Sequence, residues 1–170
     1  MDIARRIGVV AFIVASLCGA SARGDDAVAG VGRTLDALHE AAARADGARY
    51  FALFAPDAVF IGTDAAERWS IAQFEAYARP IFAAGKGWVY HPRERHVALA
   101  DLPCSCVAWF DELLDSESYG TSRGTGVLLL QDGEWKIAQY ALTFPIPNDL
   151  AHRMTAEIRA WEAKAVTRPD

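Results

Sequence analysis

Between residues 28 and 44, apolar side chains recur every three or four positions. Val28, Val31, Leu35, Leu38 and Ala42 make the series, with Asp36, Glu40 and Arg44 on the other faces. That period predicts an amphipathic helix that buries one stripe. Asp46-Gly47 stops it, and residues 49–54 predict a second, short helix with an aromatic face of Tyr50, Phe51 and Phe54. Pro56-Asp57 then turns the chain into Ala58-Val59-Phe60-Ile61, a short buried strand ended by Gly62. Two capping-box patterns follow, Asp64 with Glu67 and Ser70 with Gln73. The second directly precedes the periodic run Ile71, Phe74, Tyr77, Ala78 and is expected to start the helix proper. Glu67-Arg68-Trp69 are thereby left in a connecting turn, and Pro80 is expected to end or kink the helix.

Past residue 88 the period changes. Strand-like runs are predicted at about 88–99 (interrupted by Pro92), 105–114, 121–130 and 135–144, with Asp132-Gly133 as a tight hairpin turn. Two helices, a strand, a helix and then a β-meander predict an α+β fold, helices covering one face of a curved antiparallel sheet. A sheet with one wet face would alternate cleanly, whereas 105–114 and 135–144 carry apolar residues on both sides. The second face therefore calls for cover by the C-terminal helix, a second subunit, or both. Asn148 can cap that helix, whose stripe is Leu150, Met154, Ile158 and Trp161. A homodimer packed through the sheet is expected.

Composition changes the picture mainly at the N-terminus. The 170 residues, 52% hydrophobic and 23% charged, suit one domain with a core. Arg5-Arg6, the apolar run Ile7 to Leu17 and the small residues Ala20-Ser21-Ala22 have the form of a secretory signal peptide; the alternative is an uncleaved N-terminal anchor. The expected division is 1–22 signal peptide, 23–148 folded domain and 149–170 C-terminal helix and tail, in a periplasmic or secreted protein without stable membrane insertion after cleavage. A formal net charge of −5 and no basic stripe argue against a nucleic-acid partner. Beyond the signal segment only Cys104 and Cys106 remain. In a strand, positions i and i+2 sit near the upper limit of the Cα separation a disulfide tolerates, so two core thiols are expected instead.

Candidate chemistry is sparse. No phosphate-cradling loop, metal-ligand spacing or nucleophile elbow is present, so neither metal nor cofactor is expected. Asp111 and Glu112 face opposite sides of a strand, and Arg123 on the next strand is the expected cross-strand partner of Glu112. Two readings stay open: a structural ion pair, or a pocket in which Glu112 is a general base or ligand anchor with Arg123 setting its charge. Gln139 lies mid-strand among apolar neighbours, where its amide needs a partner in the protein or a ligand, and Tyr140 faces the other way. His91 and His96 are expected to be surface or satisfied side chains. Trp69 and Trp88 stand at element ends, where an indole either packs or lines a cleft.

The stretches "YFALFAPDAVFIGTDAAERW", "VAWFDELLDS" and "RGTGVLLLQDGEWKIAQYALTFPIPNDL" resemble the SnoaL-like branch of the nuclear transport factor two-like superfamily, over about residues 28–150. The resemblance implies a cone: a strongly bent sheet around a deep pocket, closed by N-terminal helices, with dimers often formed through the sheet. Function transfers poorly, because the same fold serves cyclases, isomerases, dehydratases, hydrolases and non-catalytic modules. The expected function is binding of a small apolar or amphipathic organic ligand, with Trp69, Trp88, Glu112, Arg123 and Gln139 in contact. The alternatives are a cofactor-free isomerase, cyclase or hydrolase with Glu112 as catalytic base, and a non-catalytic association module.

Overall fold

In the computed structural model, which describes residues 10–165, the periodic stripe forms α1 (Val10–Ala43), longer at its start than the period indicated. Val31, Leu35, Leu38 and Ala42 are buried and Val28 is exposed. Arg5-Arg6 of the expected signal peptide lie outside the described residues, and of 10–23 only the helical backbone is described. No helix among the described residues is long and apolar enough to cross a membrane.

After α2 (Gly47–Ala52) come β1 (Phe54–Ile61) and β2 (Arg68–Ser70), an antiparallel pair in which Phe60 faces Trp69. Residues 68–70 are thus a short edge strand where a turn was expected. Ser70 and Gln73 form the capping box of α3 (Ile71–Ala83), as the pattern predicts. Pro80 stays inside α3, correcting the expected break: it falls in the final turn, where the missing N–H removes a single helical bond. β3 (His91–Leu99), β4 (Val107–Ser116), β5 (Gly120–Gln131) and β6 (Glu134–Thr143) complete one curved, open sheet in the order β2-β1-β6-β5-β4-β3. Pro92 is tolerated because β3 is an edge strand with a register shift between Pro92 and Glu94. At the β5–β6 hairpin Asp132 and Gly133 both have positive φ (51° and 83°), the conformation an Asp-Gly turn supplies. The sheet is not wholly antiparallel, since β1 joins β6 in parallel.

α1 lies against the concave face, where Phe110, Leu128, Ile137 and Tyr140 share one core with Leu35, Tyr50, Phe60 and Phe74. The Thr34 hydroxyl donates to Trp135 O at 3.3 Å and ties the helix to β6. Two expectations fail at the periphery. Residues 104–106 form a loop before β4, with Ser105 at φ 46°, so the Cα atoms of Cys104 and Cys106 come to 5.1 Å and the two are disulfide-bonded; the strand geometry that argued against the bond is absent. The helix α4 (Asn148–Ala165) does not cover the convex face: it follows Pro145 and Pro147, and Leu150, Ile158 and Trp161 stay exposed.

Candidate functional site

A cavity of about 220 Å³ opens between α1, α3 and the concave face of the sheet. Its aromatic wall follows from local structure. Phe60 on β1 points inward, and pairing with β2 brings Trp69 alongside it at 6.3 Å between ring centres. The α3 cap then starts a helix that sets Phe74 and Tyr77 against the same indole, at 5.5 and 5.0 Å. Trp88 closes the side next to α2, with Tyr50 at 6.1 Å and Phe82 at 4.8 Å. At the mouth, Tyr119 from the β4–β5 turn stacks on Phe144, 5.0 Å away. Ten of the seventeen lining residues are aromatic.

The floor is polar. Glu112 is only 1% exposed, on the inner face of β4 with Phe110 and Leu114. Its Oε1 takes His39 Nε2 at 2.7 Å and the Tyr140 hydroxyl at 3.2 Å; its Oε2 takes Arg95 Nε at 2.8 Å. Arg95, directly across β3–β4 from Glu112, also donates through Nη1 to Gly32 O at 3.2 Å and Asp36 Oδ1 at 2.8 Å. Burial pushes the Glu112 carboxyl up. Hydrogen bonding and charge from His39, then from Arg95, outweigh it and hold the group below its usual value. An ionised carboxylate only accepts, so His39 Nε2 carries a proton and a neutral His39 has its lone pair on Nδ1. Burial raises the Tyr140 phenol well above its ordinary value, and Glu112 beside it adds to the effect. Gly124 lies opposite Glu112 on β5, and a Cβ there would run into the Tyr140 hydroxyl. Behind the floor, Arg95 Nη2 and Ser122 Oγ are buried without a hydrogen-bond partner among the described residues.

Of the residues singled out from sequence, Trp69 and Trp88 line the cavity, and Glu112 sits behind His39 and Tyr140, which do. Arg123 does not pair with Glu112. It faces Leu113 across the hairpin, one residue out of phase, and is exposed on the convex face. Gln139 is also exposed there, because a register shift at Ala138 lets both Ile137 and Tyr140 point inward. His91 and His96 are exposed, and His96 bonds Glu94 at 2.8 Å. The residues that sequence reading missed are Arg95, His39 and Tyr140. Arg95 alternates with Val97 and Leu99, and His39 stands one turn after Leu35 on the buried stripe; each position was a readable signal of an inward polar group. Among the described residues no group of three or more His, Cys, Asp or Glu could hold a metal ion.

The family model of the SnoaL-like domain matches residues 31–147. Among solved structures, the chain is similar to an NTF2-like protein of unknown function from Pseudomonas putida KT2440, at 17% identity over 73% of this chain and 90% of that one, TM-score 0.61. A proposed dehydratase of the NTF2-like family from Streptomyces avermitilis is 16% identical over 72% and 99%, TM-score 0.59. A proposed ketosteroid isomerase from Shewanella frigidimarina NCIMB 400 is 18% identical over 66% and 94%, TM-score 0.53. At these identities the likeness speaks for the fold alone. No match was found among curated protein sequences.

Proposed function

The chain belongs to the SnoaL-like domain family, and from that premise we propose that it binds a small, largely apolar organic molecule in the cavity between α1, α3 and the sheet. One observation carries this reading: an aromatic-walled hollow ends on a hydrogen-bonded polar floor, the combination that small-molecule sites use for affinity and orientation. Trp69 and Trp88 would grip the body of the ligand, and His39 and Tyr140 would meet its polar end. Glu112 would act through those two as a positioning residue. Arg123 and Gln139, on the far face, have no part in this reading. The test is native mass spectrometry of small molecules that co-purify with the protein. A stoichiometric organic molecule is expected, reduced in Trp69→Ala; a pocket that stays empty and that no small molecule enters overturns the proposal.

A catalytic reading has a specific observation in its favour. His39 is backed by a carboxylate that orients it, the arrangement of a general base, and the names of the dehydratase and isomerase neighbours are compatible with proton transfer. The expected base then moves from Glu112, whose oxygens are already engaged, to His39. For any substrate converted, His39→Gln should abolish turnover with folding intact, and unchanged turnover rejects this role.

Two further expectations keep support. The disulfide Cys104–Cys106 suits export to an oxidising compartment; a reporter fused after residue 30 and retained in the cytoplasm would refute it. The half-exposed Trp109 on the convex face and the bare stripe of α4 suit a homodimer; a monomer in sedimentation at micromolar concentration would refute that.

A further inference from the structure

The cavity lining carries an acidic side chain, Glu67, and no lysine or arginine among the described residues. One Glu67 oxygen, Oε2, takes the Asp64 backbone N–H at 3.2 Å, and among the described residues no cation pairs with it. Behind the floor stand Glu112 and Asp36, and Arg95 is the single guanidinium among these groups. Glu112 and Asp36 share that guanidinium, so Glu67 is the carboxylate in the lining that has no cation beside it among the described residues.

The rings add to that field, since each π face carries the negative end of its quadrupole. Several of them are kept at the mouth, unburied: Tyr77 is 52% exposed and Tyr119 63%. Trp69 against Tyr77 and Tyr119 against Phe144 form two near-parallel pairs at the rim. An anion would face the Glu67 carboxylate and the ring faces, with no lysine or arginine in the lining among the described residues to offset them. A neutral apolar guest would satisfy the rings and leave Glu67 unused.

We propose that the ligand of this cavity is an organic cation, an amine or quaternary ammonium on a small apolar body, held by cation–π contact with the rim rings and by the carboxylate of Glu67. The proposal rests on the cavity-binding reading above and adds the sign of the ligand's charge. Primary amines could also donate to the floor, whereas a quaternary ammonium isolates the cation–π contribution.

Three probes of similar shape separate the possibilities: benzyltrimethylammonium, its neutral isostere neopentylbenzene, and phenylacetate. Binding to the full chain is read by tryptophan fluorescence and by saturation-transfer NMR. Benzyltrimethylammonium is expected to bind roughly three- to thirty-fold tighter than the neutral isostere, to weaken with added salt, and to lose several-fold in Glu67→Gln. That variant can still accept the Asp64 N–H, so its fold should be unchanged. Trp69→Leu should weaken the cation more than the isostere. Equal or tighter binding of neopentylbenzene or phenylacetate overturns the charge assignment and leaves the cavity reading standing. No binding of any probe overturns both.

Discussion

Glu112 illustrates how one buried carboxylate is made tolerable. Removing a full charge from water costs several kcal/mol, and here a guanidinium, an imidazole and a phenol together stand in for that water. Glu112→Gln keeps the shape but leaves Arg95 buried against a neutral amide, so a loss of about 3 kcal/mol is expected in urea unfolding at pH 7. The pH dependence has a definite sign. The folded-state carboxyl titrates below the ordinary glutamate value of about 4.3. Its stabilisation is therefore present above that value and is lost as pH falls through the lower folded-state value. The stability curves of wild type and Glu112→Gln should converge on acidification below pH ~4; a constant gap would show that the ion pair is not its source. Gly124→Ala tests the same cluster from the opposite strand. A Cβ there meets the Tyr140 hydroxyl, so about 1–3 kcal/mol should be lost, and the Tyr140 hydroxyl proton should change its NMR shift as the bond to Glu112 opens. Arg95 and His39 show what hides such a cluster from sequence reading. Each occupies a regular inward position, but the partner of Glu112 depends on which neighbouring strand is in phase with it.

Elements with purely local causes could be anticipated. The stripe of α1 sets its buried face, and the Ser70/Gln73 box sets the start of α3 to the residue. Ser70→Ala should cost about 1 kcal/mol, read as a lower midpoint in thermal unfolding, while Gln73→Ala should cost less. Elements whose form depends on neighbours could not. Residues 68–70 become a strand because β1 offers an unpaired edge, and α3 keeps Pro80 because only its last turn is affected. The extra residue at Ala138 reverses the phase of β6, which places Tyr140 inside and Gln139 outside; no residue type in that stretch announces it.

For the molecule as a whole, curvature of the sheet turns separate aromatic residues into one cavity wall, with a hydrogen-bonded polar floor and the Glu67 carboxylate in its lining. The disulfide contributes little to this framework. It closes a loop of only three residues, so reduction should cost no more than about 2 kcal/mol and leave the Glu112 cluster intact; thermal unfolding with and without dithiothreitol checks it. The amino-acid sequence by itself determined the α+β class, the helical stripe and the hairpins, because these rest on side-chain period and turn chemistry within a few residues of each other; the family followed from the resemblance of whole stretches. Only tertiary structure decided which polar groups meet. Strand phase, one bulge and the seat of α1 on the sheet replaced Arg123 and Gln139 with Arg95, His39 and Tyr140. A shift of one residue in pairing reverses the side of a sheet a residue faces, and that choice is made by contacts between distant segments.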